Sequence, residues 1–252
     1  MADLSGKTVL VTGGSRGIGA AIARAVGQAG ARVLLHYGRA REAAEAIRKE
    51  LGEARCHLLQ ADLAEPESAA KLWQDAMAAA PRIDVVINNA GIFDPAPVDQ
   101  PLEQWRAAWQ RVLQVNLLAP ADLCREAILH FRAQGGGKII NLASRAAFRG
   151  EAPDQMPYGA SKGALVTLTK TIARGYAGDG VLAFCIAPGF VATDMVSNAL
   201  DQAAVAQVVS DIPLGAMAPP EEIGALAAFL CCDSVRHLTG ATFDVNGASY
   251  VR

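Results

Sequence analysis

A chain of 252 residues, 52% hydrophobic and 19% charged, has ample apolar material for one large domain whose core is covered on both faces. Its formal net charge of -2 gives no electrostatic footing for nucleic acid or an anionic membrane, and no apolar run reaches the roughly 18 residues that a membrane span needs. Five cysteines (Cys56, Cys124, Cys185, Cys231, Cys232) in no zinc spacing and four scattered histidines predict no metal site, and the cysteines read as reduced thiols of a cytoplasmic protein.

The first seven residues lack a signal-peptide layout. Residues 7–12 (KTVLVT) are β-branched and read as a buried strand. The strand runs into Gly13-Gly14-Ser15-Arg16-Gly17-Ile18-Gly19 and an alanine-rich helix over 20–29. Strand, glycine turn and helix N-terminus together make a phosphate site. The turn lets the backbone approach a pyrophosphate, and the helix offers free amides and the positive end of its dipole. The spacing is Gly-x3-Gly-x-Gly rather than the common Gly-x-Gly-x2-Gly, and a tight connection can use glycine for its own sake. The second strand, 32–37, ends in His36-Tyr37-Gly38-Arg39, with no acid to hold the ribose 2′-hydroxyl of NAD. Arg16 and Arg39 can instead pair with a 2′-phosphate, which favours NADP(H) over NAD(H). The alternative for Arg39 is that it only solvates the start of the next helix.

A helix over 40–51 leads to a third strand, 55–60, which ends at Asp62-Leu63. Asp62 is placed either to hold the adenine amine or to cap a helix beginning near Pro66. In that helix, 67–79, Leu72, Trp73 and Met77 face the core. A fourth strand, 83–87, ends in Asn88-Asn89-Ala90-Gly91. Strands alternating with helices predict a Rossmann-type α/β fold, a doubly wound parallel sheet with ligands at the carboxyl ends of its strands. After a Pro- and Asp-rich loop over 93–101 come helical stretches at 102–112 and 117–131, with Asn116 between them. An asparagine there costs propensity, so it marks either a tolerated bend or a residue with a task.

The fifth strand, 138–143, delivers Ser144 to its end, and Tyr158 stands where a helical run begins. Tyr158 and Lys162 are four apart, one turn along one helix face. An ammonium there is expected to lower the phenol from its usual pKa of about 10 towards neutrality, making Tyr158 a general acid or base. A Ser144 hydroxyl in the same place can hold a carbonyl or alcohol oxygen. A Tyr–Lys pair at this spacing is also common on plain helix surfaces. The sixth strand, 181–187, closes at Pro188-Gly189. Over 190–218 the pattern weakens, and this stretch is expected to be a mobile substrate lid, helical in part. A last helix (219–231) and strand (239–247) complete one domain, 1–252, without internal repeats.

Taken in order, these motifs resemble the short-chain dehydrogenase/reductase family over almost the whole chain: Thr12-Gly13-x3-Gly17-x-Gly19, Asp62-Leu63, Asn88-Asn89-Ala90-Gly91, Asn116, Ser144, Tyr158-x3-Lys162 and Pro188-Gly189-x3-Thr193. Within the family the chain is most similar to the 3-oxoacyl-acyl-carrier-protein reductases, through Ile186 to Met195, Pro213-Leu214-Gly215, Pro220 to Ile223 and Val245-Asn246-Gly247. The resemblance implies a seven-stranded sheet and a set of roles. Tyr158 would protonate the carbonyl oxygen. Lys162 would lower its pKa and bind the nicotinamide ribose. Ser144 would hydrogen-bond the substrate, and Asn116 would place a relay water. Gly13, Ser15, Arg16, Gly17, Ile18 and Gly19 would cradle the cofactor, with Arg39, Asp62, Leu63, Asn89, Ala90 and Gly91 on the adenosine side. Pro188, Gly189, Val191 and Thr193 would hold the nicotinamide end. It also implies a homotetramer. The loop from Ser144 to Tyr158 is one residue longer than usual in the family. Gly135-Gly136 and Gly178-Asp179-Gly180 stand where characterised relatives carry the arginines that dock an acyl carrier protein, so a carrier-bound substrate is in question.

The expected function is therefore NADPH-dependent reduction of a small-molecule carbonyl, with a 3-oxoacyl thioester as one candidate substrate. An NAD(P)-dependent alcohol or sugar dehydrogenase working oxidatively is the alternative. A non-catalytic NADP(H)-binding sensor is the third reading, and the presence of both Tyr158 and Lys162 weighs against it.

Overall fold

Alternation inside the strands decides the layering, because successive strand residues point to opposite faces. Val9 and Val11 enter one core with Val33, Leu35, Ile140, Leu142, Phe184 and Ile186. Leu10, between them, enters the other with Leu34, Val86, Ile139 and Ala183. A sheet buried on both faces must be covered by helices on both. A computed structural model describes residues 2–193 and 201–252. Seven strands, β1 (Thr8–Val11), β2 (Arg32–Tyr37), β3 (Cys56–Gln60), β4 (Val85–Asn88), β5 (Gly137–Leu142), β6 (Val181–Pro188) and β7 (Thr242–Val245), form one sheet in the order β3-β2-β1-β4-β5-β6-β7. Every neighbouring pair is parallel. The expected doubly wound architecture and strand count are both present.

Helices α1 (Gly17–Gln28), α2 (Arg41–Leu51) and α9 (Pro220–Cys231) cover one face, with Ile22, Ile47, Ile223 and Leu230 in its core. Helices α3 (Ser68–Ala79), α5 (Ala119–Gln134) and α7 (Met156–Tyr176) cover the other. There Leu72, Trp73, Leu123, Phe131 and Ile172 are buried, while Met77 packs at the margin. Helix α1 lies directly on α9. A Cβ on Gly224 would come within 2.7 Å of the Ala21 carbonyl oxygen, so only glycine permits that approach. The chain reverses its winding between β1 and β4, neighbours in space but not in sequence. That switch point opens a crevice at the carboxyl ends of the strands.

Two boundaries differ from the sequence reading in ways that matter. Helix α7 starts at Met156, with Pro157 in its first turn, so Tyr158 and Lys162 lie within one continuous helix. Helix α4 (Leu102–Leu113) and α5 do not break at Asn116. They join through a π-helical turn, Gln114–Leu118, which accommodates one extra residue per turn. In the stretch expected to be a lid, helix α8 (Gln202–Ser210) starts at Asp201, whose side chain accepts from the Ala204 amide at 2.8 Å. Residues 194–200 of that stretch lie outside the described residues. Among the described residues, no helix is long and apolar enough to cross a membrane.

Candidate active site

The glycine turn is held from both sides. On one side, Asn89 Nδ2 donates to the Thr12 and Gly13 carbonyls (2.9 and 3.1 Å), and Thr12 Oγ1 accepts from the Asn89 and Ala90 amides, each at 3.0 Å. On the other, the Gly13 amide donates to His36 Nδ1 at 3.1 Å and the Gly14 amide to the His36 carbonyl at 2.8 Å. Gly13 and Gly17 have φ of +63° and +54°, the left-handed region that glycine takes without strain. A Cβ on Gly19 would lie 2.0 Å from the Gly13 oxygen. The turn therefore has the tight cradle that a pyrophosphate requires. Helix α1 begins at Gly17 with no side-chain cap, which leaves its first amides to an anion. Ser15 and Ile18 are half-buried along this turn, and Arg16 is exposed. Thr193, from the loop after β6, sits over Gly17, where a Cβ would be 3.4 Å from its Cγ2. The structure thus brings together the two ends of the expected cofactor set.

The residues expected on the adenosine side behave unequally. Asp62 does not cap α3, whose N-cap is Glu67. It turns back to accept from the Ala64 amide at 3.1 Å and lies 3.5 Å from the guanidinium of Arg39. Both side chains are largely exposed, so this pair is loose and open to solvent. Leu63 puts its side chain into the core, as does Val191, which leaves only their backbones to face a ligand. Pro188 is buried at the end of β6, and Gly189 packs against Asn246.

At the centre, Asn116, Ser144, Tyr158 and Lys162 converge. A Cβ on Gly91 would lie 3.4 Å from both Asn116 Oδ1 and Lys162 Nζ, so the loop after β4, the π turn and α7 meet at one point. Asn116 is fully buried, and its amide clasps the backbone of Ile92. Oδ1 accepts from the Ile92 amide at 2.8 Å, and Nδ2 donates to the Ile92 carbonyl at 2.9 Å and to Ser161 Oγ at 3.3 Å. Ser161 in turn donates to the Tyr158 carbonyl at 2.7 Å. Asparagine in a helix is thus a bracket that fixes the helix bearing Tyr158. Lys162 is buried and donates to the Leu142 carbonyl at 2.8 Å. Its ammonium stands 5.7 Å from the centroid of the Tyr158 ring, and Phe93 packs edge-on against that ring at 5.7 Å.

The electrostatics correct one expectation. The Tyr158 pKa stands above its ordinary value and is not brought towards neutrality. Burial raises the phenol above its ordinary value, and Glu151 nearby adds to the rise, while a hydrogen bond with the Ser144 hydroxyl opposes it. Burial acts on Lys162 too, bringing its ammonium down to about 8. The physical reason is that desolvation is the largest influence on the phenol, and the amine stands 5.7 Å from the ring centroid. The phenol therefore keeps its proton, as a general acid must.

Two contributors were not legible in the sequence. One is His36. The other is the C-terminal tail, which folds over the loop between Ser144 and Tyr158. Arg145 Nη1 donates to Ser249 Oγ at 2.5 Å and lies over the Phe190 ring, while Tyr250 stacks on Phe148. A separation of 104 residues leaves no local pattern to announce such a contact. The cleft between tail and loop, about 410 Å³, is lined by Arg149, Gly150, Glu151, Ser249 and Tyr250. Among the described residues, no group of three or more metal-ligating side chains gathers.

A sheet with this strand order, a glycine turn at its switch point and a Ser–Tyr–Lys group gathered at the crevice defines a nucleotide-dependent oxidoreductase class. A family profile described as Enoyl-(Acyl carrier protein) reductase matches residues 13–248. The chain is 37% identical to a 3-oxoacyl-[acyl-carrier-protein] reductase of Synechocystis sp., with 98% of each covered. It is 39% identical to 3beta-hydroxysteroid dehydrogenase 1 of Eggerthella lenta, covering 97% of this chain and 94% of that one. In three dimensions it superimposes on a putative NAD(P) dependent gluconate 5-dehydrogenase from Beutenbergia cavernae with bound NADP at low occupancy, with a TM-score of 0.89, 36% identity and 98% of each chain covered. The chain belongs to the short-chain dehydrogenase/reductase family of oxidoreductases.

Proposed function

We propose that the protein is an NADPH-dependent reductase that converts a carbonyl to a secondary alcohol, with a 3-oxoacyl thioester as its leading candidate substrate. The observation that carries this reading is that Asn116 and Lys162 meet at Gly91, beside the cradle between Gly13 and Gly19, while the Ser144 hydroxyl is hydrogen-bonded to Tyr158, whose ring centroid lies 5.7 Å from the Lys162 ammonium. When bound, the reduced nicotinamide supplies the hydride. Ser144 and Tyr158 aim two hydroxyl donors at the oxygen on which negative charge develops, and Tyr158 holds the proton that this oxygen takes. Lys162 would bind the nicotinamide ribose and lend positive charge, and the Asn116 bracket keeps α7 in place. The relay water expected at Asn116 belongs to this proposal. The acid-free end of β2, with exposed Arg16 and Arg39, supports NADPH over NADH. Exposed Leu118 and Leu129 on the α4–α5 run support assembly into the expected homotetramer.

A second reading has an observation of its own. The cleft beside the site has polar walls, and Glu151 is close enough to Tyr158 to act on its pKa. Such walls suit a hydroxylated substrate such as a sugar acid, which would be oxidised. Both readings are tested by steady-state assays with NADPH, NADH and their oxidised forms against 3-oxoacyl thioesters, simple ketones and sugar acids. Turnover of thioesters with NADPH, lost roughly 10²–10⁴-fold in Tyr158→Phe, is the expected result. Full activity of Tyr158→Phe on any accepted substrate would remove Tyr158 from the chemistry. Exclusive oxidation of sugar acids would replace the first reading by the second.

A further inference from the structure

His36 is a buried imidazole, 3% exposed, at the carboxyl end of β2. Its two ring nitrogens bridge two other elements. Nδ1 accepts from the Gly13 amide at 3.1 Å, and Nε2 lies 3.0 Å from the Ala61 carbonyl, beyond β3. A carbonyl can only accept and an amide N–H can only donate, so both contacts are made by one species, the neutral ring protonated on Nε2 alone. A second proton would set an N–H against the N–H of Gly13. The donor of that first contact opens the glycine turn, and the next amide, Gly14, is bound to the carbonyl of the same histidine at 2.8 Å. The ring is therefore a strut between the sheet edge and the start of the turn.

We propose that His36 is a positioning residue of the dinucleotide site: its neutral ring holds the glycine turn in the shape that accepts a pyrophosphate, and protonating the ring loosens the turn and weakens cofactor binding. The inference rests on the reading that this turn binds a dinucleotide. Burial opposes the second proton, and the Asp62 carboxylate, from the loop after β3, favours it. Asp62 is itself shared with Arg39. The other ionisable groups on the elements that touch the ring are Arg16, which is exposed, Arg32 at the far end of β2, Glu65, exposed on the loop after β3, and Tyr37, whose hydroxyl points to Gln60 at 3.4 Å. His36 therefore stays neutral at pH 7, and its protonation belongs to the acid side of the usual histidine range.

Two variants separate positioning from mere packing. His36→Asn puts an acceptor oxygen where Nδ1 stands but cannot titrate. His36→Leu fills the space and accepts nothing. The test measures NADPH dissociation constants by fluorescence between pH 7.5 and 5.0 for the full chain and both variants, with circular dichroism at each pH. At pH 7.5 the Leu variant is expected to bind about tenfold more weakly, and the Asn variant within about threefold of the parent. As pH falls, the ratio of parent to Asn dissociation constants is expected to climb, approaching tenfold per pH unit once the ring is mostly charged. Taking the ratio cancels titration of the 2′-phosphate, which both proteins share. A ratio that stays flat down to pH 5.0 overturns the proposal, even if the Leu variant does not fold. A Leu variant that binds as tightly as the parent overturns it too. If the parent binds neither NADPH nor NADH at pH 7.5, the cofactor reading itself falls, and this inference falls with it.

Discussion

Two lysines are buried at opposite ends of the sheet, and their fates differ. Lys138 lies at the amino end of β5. Its ammonium donates to the carbonyls of Leu230 (3.4 Å), Cys231 (2.9 Å) and Cys232, the C-terminal end of α9, with Asp233 at 3.8 Å. Lys162 lies at the carboxyl-end crevice with one carbonyl at 2.8 Å and, among the described residues, no carboxylate within ion-pair distance. Burial lowers both, but for Lys138 the Asp233 charge works against the fall, whereas Lys162 drops to about 8. A cation at a helix C-terminus meets orphan carbonyls and the negative end of the dipole, so Lys138 fastens α9 to the sheet. An ammonium left short of partners is unstable where it stands, and that is the condition for it to change charge near neutral pH. On the proposed reading, lysine serves the fold at one end of the sheet and chemistry at the other because its partners differ.

That contrast can be broken by removing each amine in turn. Lys162→Met is expected to cut kcat/KM by roughly 10²-fold or more, by analogy with loss of an acid–base group, while raising Tm at pH 7. The sign follows from the lowered pKa. The folded state disfavours the charged amine, so the burden is present below about pH 8 and lifts as pH rises from about 8 towards the usual lysine value. A Tm that fell in Lys162→Met would remove the contrast. Lys138→Met should do the reverse: its pKa is lowered too, but losing a donor shared by three carbonyls at the end of α9 outweighs that relief, costing about 1–3 kcal/mol in urea unfolding, with kcat per folded molecule unchanged. In the parent, kcat/KM is expected to fall on the alkaline side of a bend near pH 8, as Lys162 loses its charge, and this bend should vanish in Lys162→Met but persist in Lys138→Met. The smallest effect belongs to the solvent-facing member of the Lys138 cluster. Asp233→Asn breaks the 2.8 Å pair with Lys7, mostly exposed on the aspartate side, and should move stability by no more than about 1 kcal/mol, vanishing in high salt.

The sequence alone determined the order of strands and helices and the positions of Gly13, Gly19, Ser144, Tyr158 and Lys162, because periodicity, glycine turns and i,i+4 spacing are local properties of a chain. It also placed Asn116 at an irregularity, though not the π turn that the irregularity became. Only the tertiary structure decided the charge states. Whether Lys162 lowers Tyr158, or burial raises it, depends on how much water the folded site excludes, and no local spacing records that. The same holds for His36, only one residue of an acid-free strand end until the loop after β3 and the glycine turn close on either side of its ring, and for Ser249, which meets Arg145 only because the last strand returns the tail to the crevice. Contacts between residues far apart in sequence form when the sheet closes, and they set both the proton positions and the shape of the site.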